Sequence, residues 1–114
     1  MEYVEVLDLK TWQDAKNNCM SMGGRLMEVH TQEEYKTALR MRKKMSGAFW
    51  LGGNDMRMEG IWVWNSNKKR VRINEFWQKW RPRLDKDKNC LAMGNYGMWD
   101  AGCTNTRRSV CEFN

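Results

Sequence analysis

Four cysteines constrain the fold of this 114-residue chain more than any other feature of its sequence. They stand at positions 19, 90, 103 and 111, so three of them lie in the last quarter of the chain. An even number of cysteines without a Cys-x-x-Cys pair, in a chain with one histidine, favours two disulfides over a metal site or a redox pair. If Cys19 pairs with Cys111, one bridge joins the start of the fold to its end. The other bridge, between Cys90 and Cys103, would then close a loop.

The size and charge of the chain limit the kinds of protein that it can be. With 114 residues, it is predicted to form one domain, residues 1–114, with one modest hydrophobic core. Lys and Arg number 20 while Asp and Glu number 14, so the net charge is +6. A basic surface keeps a protein soluble and attracts acidic partners, such as sulfated or sialylated glycans, anionic lipid, nucleic acid or acidic mineral.

The cysteines also predict the compartment in which the protein works. Disulfides persist in oxidising compartments, so we expect a secreted, extracellular protein or an ectodomain. No stretch approaches the roughly 18 apolar residues of a transmembrane helix, and we expect no membrane span. The chain begins without the apolar run of a signal peptide, so either that signal has already been removed or the cysteines are reduced and the predicted compartment is wrong. A disulfide-bonded secreted domain rarely meets nucleic acid, which we do not expect as a partner.

The pattern of apolar residues predicts two helices followed by short strands. Thr11 and Thr31 each precede an apolar stripe and are followed three residues later by an acid, Asp14 or Glu34, as in a capping box. Gly23-Gly24 is predicted to end the first helix. Strands are predicted at residues 3–7, 25–29, 49–52, 61–64, 90–93 and 108–113, with an alternating segment over 68–76 and a polar loop over 78–89. This order of elements is typical of an α+β domain with a long loop.

Six short motifs follow one another in a specific order along the chain. They are Trp12…Ala15…Cys19, Phe49-Trp50-Leu51-Gly52, Glu59-Gly60…Trp62-Val63-Trp64, Asn89-Cys90, Trp99-Asp100…Cys103 and Val110-Cys111-Glu112. This set resembles the C-type lectin-like domain over essentially the whole chain, in the short form that lacks an additional N-terminal cysteine pair. The resemblance implies an α+β fold with two helices, small antiparallel sheets and a long ligand-binding loop region. It also implies the disulfides Cys19–Cys111 and Cys90–Cys103.

Sugar-binding members of that family coordinate calcium at the long loop, and this chain departs from their ligand pattern. The resemblance places Arg81-Pro82-Arg83 where those members have a Glu-Pro-Asn or Gln-Pro-Asp triplet. It places Lys88, just before Asn89-Cys90, at a position that is acidic in those members. Asp100 takes the place of the Asp in a Trp-Asn-Asp triplet, while Trp99 takes the place of its Asn. Three ligand positions have therefore become cationic.

These replacements predict that the usual calcium site is absent and that the domain needs no cofactor. Calcium takes six to eight oxygen ligands, whereas Arg and Lys repel a divalent cation and offer it no lone pair. Asp85 and Asp87 leave an alternative open, because a shift in register could bring either of them to the site. The resemblance further implies a cis peptide bond before Pro82.

The same loop is predicted to bind anions instead. Arg forks pair with sulfate, carboxylate or phosphate through two parallel hydrogen bonds, and exposed indoles offer flat faces to sugar rings. The residue before a proline is held extended, which would project Arg81 from the loop. Arg107 and Arg108 could join the basic strip if they face the same way. The predicted ligand-binding residues are Trp80, Arg81, Arg83, Lys86, Lys88, Trp99 and Asp100, extended by Lys68, Lys69, Arg70 and Arg72 on the preceding segment.

The leading hypothesis is therefore extracellular recognition of acidic or sulfated carbohydrate without the usual calcium coordination. The alternative is a C-type lectin-like module that binds a protein partner or an acidic mineral matrix, and a homodimer stays open. A plain solvated loop would also be rich in Lys and Arg. We do not expect an enzyme, because His30 precedes a helix cap and the cysteines are committed to bridges, which leaves no nucleophile with an evident base.

Overall fold

The computed structural model describes residues 1–71, 75–83 and 86–114, which assemble around one mixed β-sheet. Its helices are α1 (Trp12–Ser21) and α2 (Gln32–Lys44). Its strands are β1 (Glu2–Lys10), β2 (Arg25–Leu26), β3 (Phe49–Asn54), β4 (Val63–Trp64), β5 (Cys90–Gly94), β6 (Gly97–Ala101) and β7 (Arg107–Phe113). The α+β class with two helices is confirmed.

Both helices begin at the threonines that the sequence predicts. Thr11 Oγ1 accepts a hydrogen bond from the backbone N–H of Asp14 at 3.3 Å, and Thr31 Oγ1 accepts one from Glu34 at 3.1 Å. Each threonine thereby satisfies a backbone donor that the first helical turn leaves without a partner. The first helix ends before Gly23, whose φ of 87° suits a residue without a side chain.

The sheet brings the two ends of the chain together. Its main strand order is β1-β7-β3-β5-β6, with β2 paired to β7 and β4 paired to β3. β3 and β7 run parallel, and the other strand pairs of this sheet are antiparallel. The predicted strands at 25–29 and 61–64 are shortened to two residues each, because beyond them the backbone leaves the ladder for single cross-links such as Met27 N to Val110 O at 2.9 Å.

Strand β6, which pairs with β5 in a hairpin, was not predicted from the sequence. In this register Trp99 lies opposite Ala92, and Asp100 lies opposite Leu91. A buried aspartate interrupts the apolar pattern that would mark such a strand, so its pairing to β5 could not be inferred from local periodicity. The missed strand carries two of the predicted site residues.

The disulfides have the pairing that the family resemblance implies. Cys19–Cys111 joins α1 to β7 across 92 residues of chain, and Cys90–Cys103 joins the start of β5 to the turn after β6 across 13 residues. By the loop-entropy estimate, the long bridge stabilises the fold by roughly 4–5 kcal/mol and the short bridge by about 3 kcal/mol. The long bridge is therefore the stronger constraint on the unfolded chain.

Most of the tryptophans build the core, as their size predicts. Trp12 and Trp50 lie in a smaller cluster around the Cys19–Cys111 bridge, while the larger cluster between α2 and the sheet contains Trp62, Trp64 and Trp77. The other two, Trp80 and Trp99, are not buried: Trp80 is 81% exposed, and Trp99 is partly covered by arginines. These two are the tryptophans that the sequence assigned to ligand binding.

Candidate functional site

The first part of the long loop is fastened to β6. Gln78 N donates to Met98 O at 2.8 Å, and Met98 N donates to Phe76 O at 2.7 Å. Gly97 permits this close approach, since a Cβ there would lie 2.8 Å from Gln78 N. The loop therefore runs along the edge strand, which brings residues 81–83 over Asp100.

Asp100 is fully buried, and the loop supplies hydrogen bonds to both of its carboxylate oxygens. Arg81 Nη1 donates to Asp100 Oδ1 at 3.0 Å, while the backbone N–H of Arg83 donates to Oδ2 at 3.0 Å. The Arg81 side chain is 16% exposed, so this ion pair is largely withdrawn from water. A buried charge of this kind is tolerated because it is both paired and hydrogen-bonded.

The direction of Arg81 corrects one prediction from the sequence. The side chain was expected to project from the loop, but it turns inward to the buried carboxylate. The physical reason is that the extended backbone before a proline sets no direction for the side chain, whereas an unpaired Asp100 would be costly. The cis peptide bond between Arg81 and Pro82 is confirmed.

Trp99 precedes Asp100 in β6 and contacts two arginines. The guanidinium carbon of Arg81 lies 5.4 Å from the indole centroid, and that of Arg107 lies 4.7 Å from it. Arg107 also lies 5.3 Å from the ring of Trp50. Trp99 thus takes part in two cation–π contacts, and its role as a platform for sugar rings stays a prediction.

Beside these contacts lies a groove of about 410 Å³, here called the arginine groove. It is lined by Arg42, Ala48, Gln78, Arg81, Gly94, Asn95, Tyr96, Trp99 and Arg107. The sequence predicted Arg81, Trp99 and Arg107 as candidate site residues, but not Arg42 and Tyr96. Nothing in the sequence indicated these two, because the groove forms where the end of α2 meets the β5–β6 turn and the start of β7.

The exposed predicted residues of the loop surround Trp80. This residue has a φ of 70°, a backbone region that bulky side chains rarely occupy, and Lys79 Nζ lies 5.4 Å from its ring centroid. The side chains of Arg83 and Lys86 are exposed, and Lys88 is partly exposed. The loop therefore presents cations close in sequence to one exposed indole.

The predicted basic residues before the loop line a different cavity. Lys69 and Arg70 line a pocket of about 250 Å³ with Val29, His30 and Trp64, none of which lines the arginine groove. Lys68 is exposed, and its Nζ donates to Asn65 O at 3.1 Å. The predicted Arg72 lies outside the described residues. The basic residues at 68–70 therefore belong to a second place on the surface.

An acidic pair that the sequence analysis did not single out lies at the start of the loop after β3. Asp55 is 2% exposed and accepts a hydrogen bond from Gly60 N at 2.9 Å. Burial raises the pKa of Asp55 to about 6, with a further contribution from Glu59. Asp55 Oδ1 and Asn89 Oδ1 are buried without a hydrogen-bond partner in the part of the chain that the structure describes.

Side-chain oxygens of this kind are the ligands that a hard cation such as calcium binds. Calcium takes six to eight oxygen ligands, and Asp55, Glu59 and Asn89 together offer fewer side-chain groups than that. Within residues 1–71, 75–83 and 86–114 there is no group of three or more His, Cys, Asp or Glu side chains that could hold a metal ion. Of the alternative ligands, Asp85 lies outside these ranges, and Asp87 is exposed.

The single histidine has a structural environment, as expected. His30 Nε2 lies 2.8 Å from Oε1 of the buried Glu28, and its ring packs against Trp64 at 5.3 Å. Glu28 also accepts hydrogen bonds from the backbone N–H and the hydroxyl of Ser66 at 3.0 and 2.7 Å. This network ties the strand-to-helix turn to the loop after β4.

Comparison with known proteins agrees with the fold. The family model described as Lectin C-type domain matches residues 8–113. The chain therefore belongs to the C-type lectin domain family, whose members are binding modules and not enzymes. No helix in the described part of the chain is long and apolar enough to cross a membrane.

Individual relatives cover nearly the whole chain. A Xenopus laevis protein, C-type lectin domain family 3 member A homolog, is 34% identical over 97% of this chain and 59% of its own length. The cow carbohydrate-recognition domain of CD23, solved in the presence of a GlcNAc2Man3 oligosaccharide, has a TM-score of 0.81 with 26% identity, covering 96% of this chain and 84% of the other. A calcium-independent type II antifreeze protein has a TM-score of 0.81 with 25% identity, covering 96% and 82%. The chain spans about half the length of the curated relatives that it matches.

Proposed function

We propose that this extracellular domain binds acidic or sulfated glycans through its basic long loop, without calcium at the family's usual place. Membership of a lectin domain family supports carbohydrate recognition as the general activity. The observation that carries the finer proposal is the Arg81–Asp100 ion pair, in which a guanidinium holds the remaining acid of the calcium pattern. The absence of a cofactor and secretion of the protein belong to the same proposal.

Calcium would have to displace an internal cation to reach Asp100. Both carboxylate oxygens are engaged by the loop, one by Arg81 and one by the backbone N–H of Arg83. A calcium ion there would break this ion pair and its hydrogen bonds, and it would find Arg81, Arg83 and Lys88 in place of the oxygen ligands that it needs. These losses are the physical reason to expect binding that does not depend on calcium.

The exposed part of the loop has the chemistry for an anionic sugar. Trp80 supplies a flat apolar face, and Arg83 and Lys86 supply exposed charges a few residues away along the chain. Arg binds sulfate or carboxylate through paired hydrogen bonds, while an indole face packs against the C–H groups of a pyranose ring. Sulfated glycans therefore fit this surface better than neutral sugars do.

Heparin is a suitable probe for the proposed surface, with binding measured against increasing salt. Replacing Trp80, Arg83 and Lys86 by Ala, Gln and Gln should reduce heparin affinity at least tenfold, because two phosphate- or sulfate-type contacts and one stacking face are lost. The matched control is Arg57→Gln, which removes an exposed charge from another loop and should leave affinity unchanged. Equal affinity of the triple variant and the wild type would refute the proposed surface.

The same experiment tests the other candidate function. If no glycan binds at any salt concentration, a protein partner or an acidic mineral matrix becomes the better proposal for the loop. Tight binding of neutral mannose or galactose that disappears with a calcium chelator would instead reject the anion proposal.

A further inference from the structure

The arginine groove brings together three guanidinium groups from three separate elements. Arg42 lies near the end of α2, Arg81 lies in the long loop, and Arg107 begins β7. None of the groove's lining residues, all within the described part of the chain, is an aspartate or a glutamate. The charge of Arg81 is balanced by Asp100, whereas Arg42 and Arg107 form no ion pair with any described residue.

Arg107 is held partly out of water with unused hydrogen-bonding capacity. Its guanidinium carbon lies within 5.3 Å of the Trp50 ring centroid and 4.7 Å of the Trp99 centroid. Its Nε is buried and has no acceptor among the described residues. Burial also lowers the pKa of Arg107 from its usual value. Cations that are desolvated without a counter-charge favour the arrival of an anion.

Arg42 shares this condition on the other wall of the groove. Its Nη1 donates to Met45 O at 2.9 Å, which fixes the side chain at the end of the helix. Its Nε is buried and lacks an acceptor in the described ranges, as does the Nε of Arg107. Two anchored guanidinium groups thus line one groove with donors left over, so little side-chain freedom would be lost on binding.

The rim of the groove suits a sugar ring. Tyr96 is 82% exposed in the β5–β6 turn and offers a flat face with a hydroxyl at its edge. Asn95 and Gln78 line the same groove and provide amide donors and acceptors for hydroxyl groups. Anion donors inside and an aromatic face at the rim together match one charged sugar unit.

We propose that the arginine groove binds a single sulfate or carboxylate group of an acidic sugar, with Arg42 and Arg107 as its donors and the sugar ring against Tyr96. The sugar in this proposal rests on the proposed function, but the site does not coincide with the exposed loop surface. None of Trp80, Arg83 and Lys86 lines the groove. The two surfaces can therefore be removed separately.

The test is a titration of the whole domain with a sulfated disaccharide prepared from heparin. Calorimetry measures the affinity, and the NMR signals of the arginine Nε–H groups report where the disaccharide binds. Arg42→Gln should weaken disaccharide binding about tenfold or more, the factor expected for a lost charged hydrogen bond. Lys43→Gln removes the adjacent exposed charge of the same helix and should leave binding unchanged. Unchanged affinity of Arg42→Gln would overturn the proposal.

The variant Arg107→Lys tests whether the paired hydrogen bonds of the guanidinium contribute to binding in addition to its charge. Lysine keeps the positive charge but cannot make two parallel hydrogen bonds, so binding should fall as it does for Arg42→Gln. The Nε–H signals of Arg42 and Arg107 in the wild type should shift on titration, while that of Arg57 stays in place. Signals that stay in place at saturation would reject the groove even if Arg107→Lys weakens the fold.

Two further measurements are needed. One distinguishes binding at the groove from binding at the loop, and the other distinguishes recognition of the sugar ring from recognition of its anionic group. In the loop variant of Trp80, Arg83 and Lys86, the disaccharide should still shift the Nε–H signals of Arg42 and Arg107. In Arg42→Gln, the shift of the Arg107 signal should be lost at the same disaccharide concentration. If only the loop variant loses disaccharide binding, the groove proposal is wrong and the proposed function stands. If inorganic sulfate binds as tightly as the disaccharide, the assignment of the sugar to Tyr96 is wrong.

Discussion

Two buried aspartates of this domain have opposite surroundings. Asp100 in β6 is fully buried and receives a guanidinium on one oxygen and a backbone N–H on the other. Asp55 after β3 is 2% exposed, accepts one hydrogen bond from Gly60 and lies beside a second acid, Glu59. The pair at Asp100 makes its charge tolerable, whereas burial raises the pKa of Asp55 to about 6. One acid has an internal cation, and the other lacks one among the described residues.

The largest effect should come from removing the cation beside Asp100. Arg81→Met should lower the free energy of unfolding by about 3–5 kcal/mol, because the buried carboxylate is left without a counter-charge. Chemical denaturation at pH 7 measures this loss. Arg83→Gln is the control, since Arg83 uses its backbone N–H and should lose less than 0.5 kcal/mol. A loss below about 1 kcal/mol for Arg81→Met would mean that the Arg81–Asp100 ion pair does not stabilise the fold.

Asp55→Asn should raise the free energy of unfolding at neutral pH, whereas Arg81→Met should lower it. The pKa of Asp55 is raised to about 6, so the folded state holds a proton that the unfolded state has lost between about pH 4 and pH 6. Stability from this group therefore falls as the pH rises through that window. The variant should flatten this slope and stabilise the domain at pH 7.5 by up to about 3 kcal/mol.

Melting temperatures from pH 4 to pH 8 test this expectation. Glu59→Gln serves as the comparison, because it removes the neighbouring charge and should reduce the slope without abolishing it. An Asp55→Asn variant with the wild-type slope, or with lower stability at pH 7.5, would contradict the assigned role of Asp55.

The sequence predicted local features of this domain better than contacts between distant residues, and the reason is physical. The helix caps at Thr11 and Thr31 depend on residues three positions apart, and the pattern predicts them correctly. The disulfide frame followed from the family resemblance. The contact between Arg81 and Asp100 crosses 19 residues, and the position of Arg81 before a proline indicated the wrong direction for its side chain.

The groove could be predicted only in part, because it depends on tertiary packing. Arg42 was a helix-terminal cation in the sequence, where the helix dipole alone explains a basic residue. Tyr96 occupies a turn between β5 and a strand that the sequence did not reveal. Their meeting with Arg107 results from strand order, which periodicity does not specify.

Trp80→Ala should have the smallest effect on stability. The side chain is 81% exposed, so its loss should change the free energy of unfolding by less than about 0.5 kcal/mol, and heparin binding should still weaken. The comparison with Trp99→Ala is useful, because Trp99 packs against Arg81 and Arg107 and should cost more stability. A large stability loss for Trp80→Ala would make Trp80 a structural residue.

Arg81, paired with Asp100, occupies the remaining acid of the usual calcium site, so we expect glycan binding that does not depend on calcium. The most direct test is heparin affinity of the wild-type domain, measured by calorimetry at fixed ionic strength with a calcium chelator and then with millimolar calcium. We expect the same affinity and the same melting temperature in both conditions. Affinity that is lost in the chelator and restored by calcium would contradict this expectation.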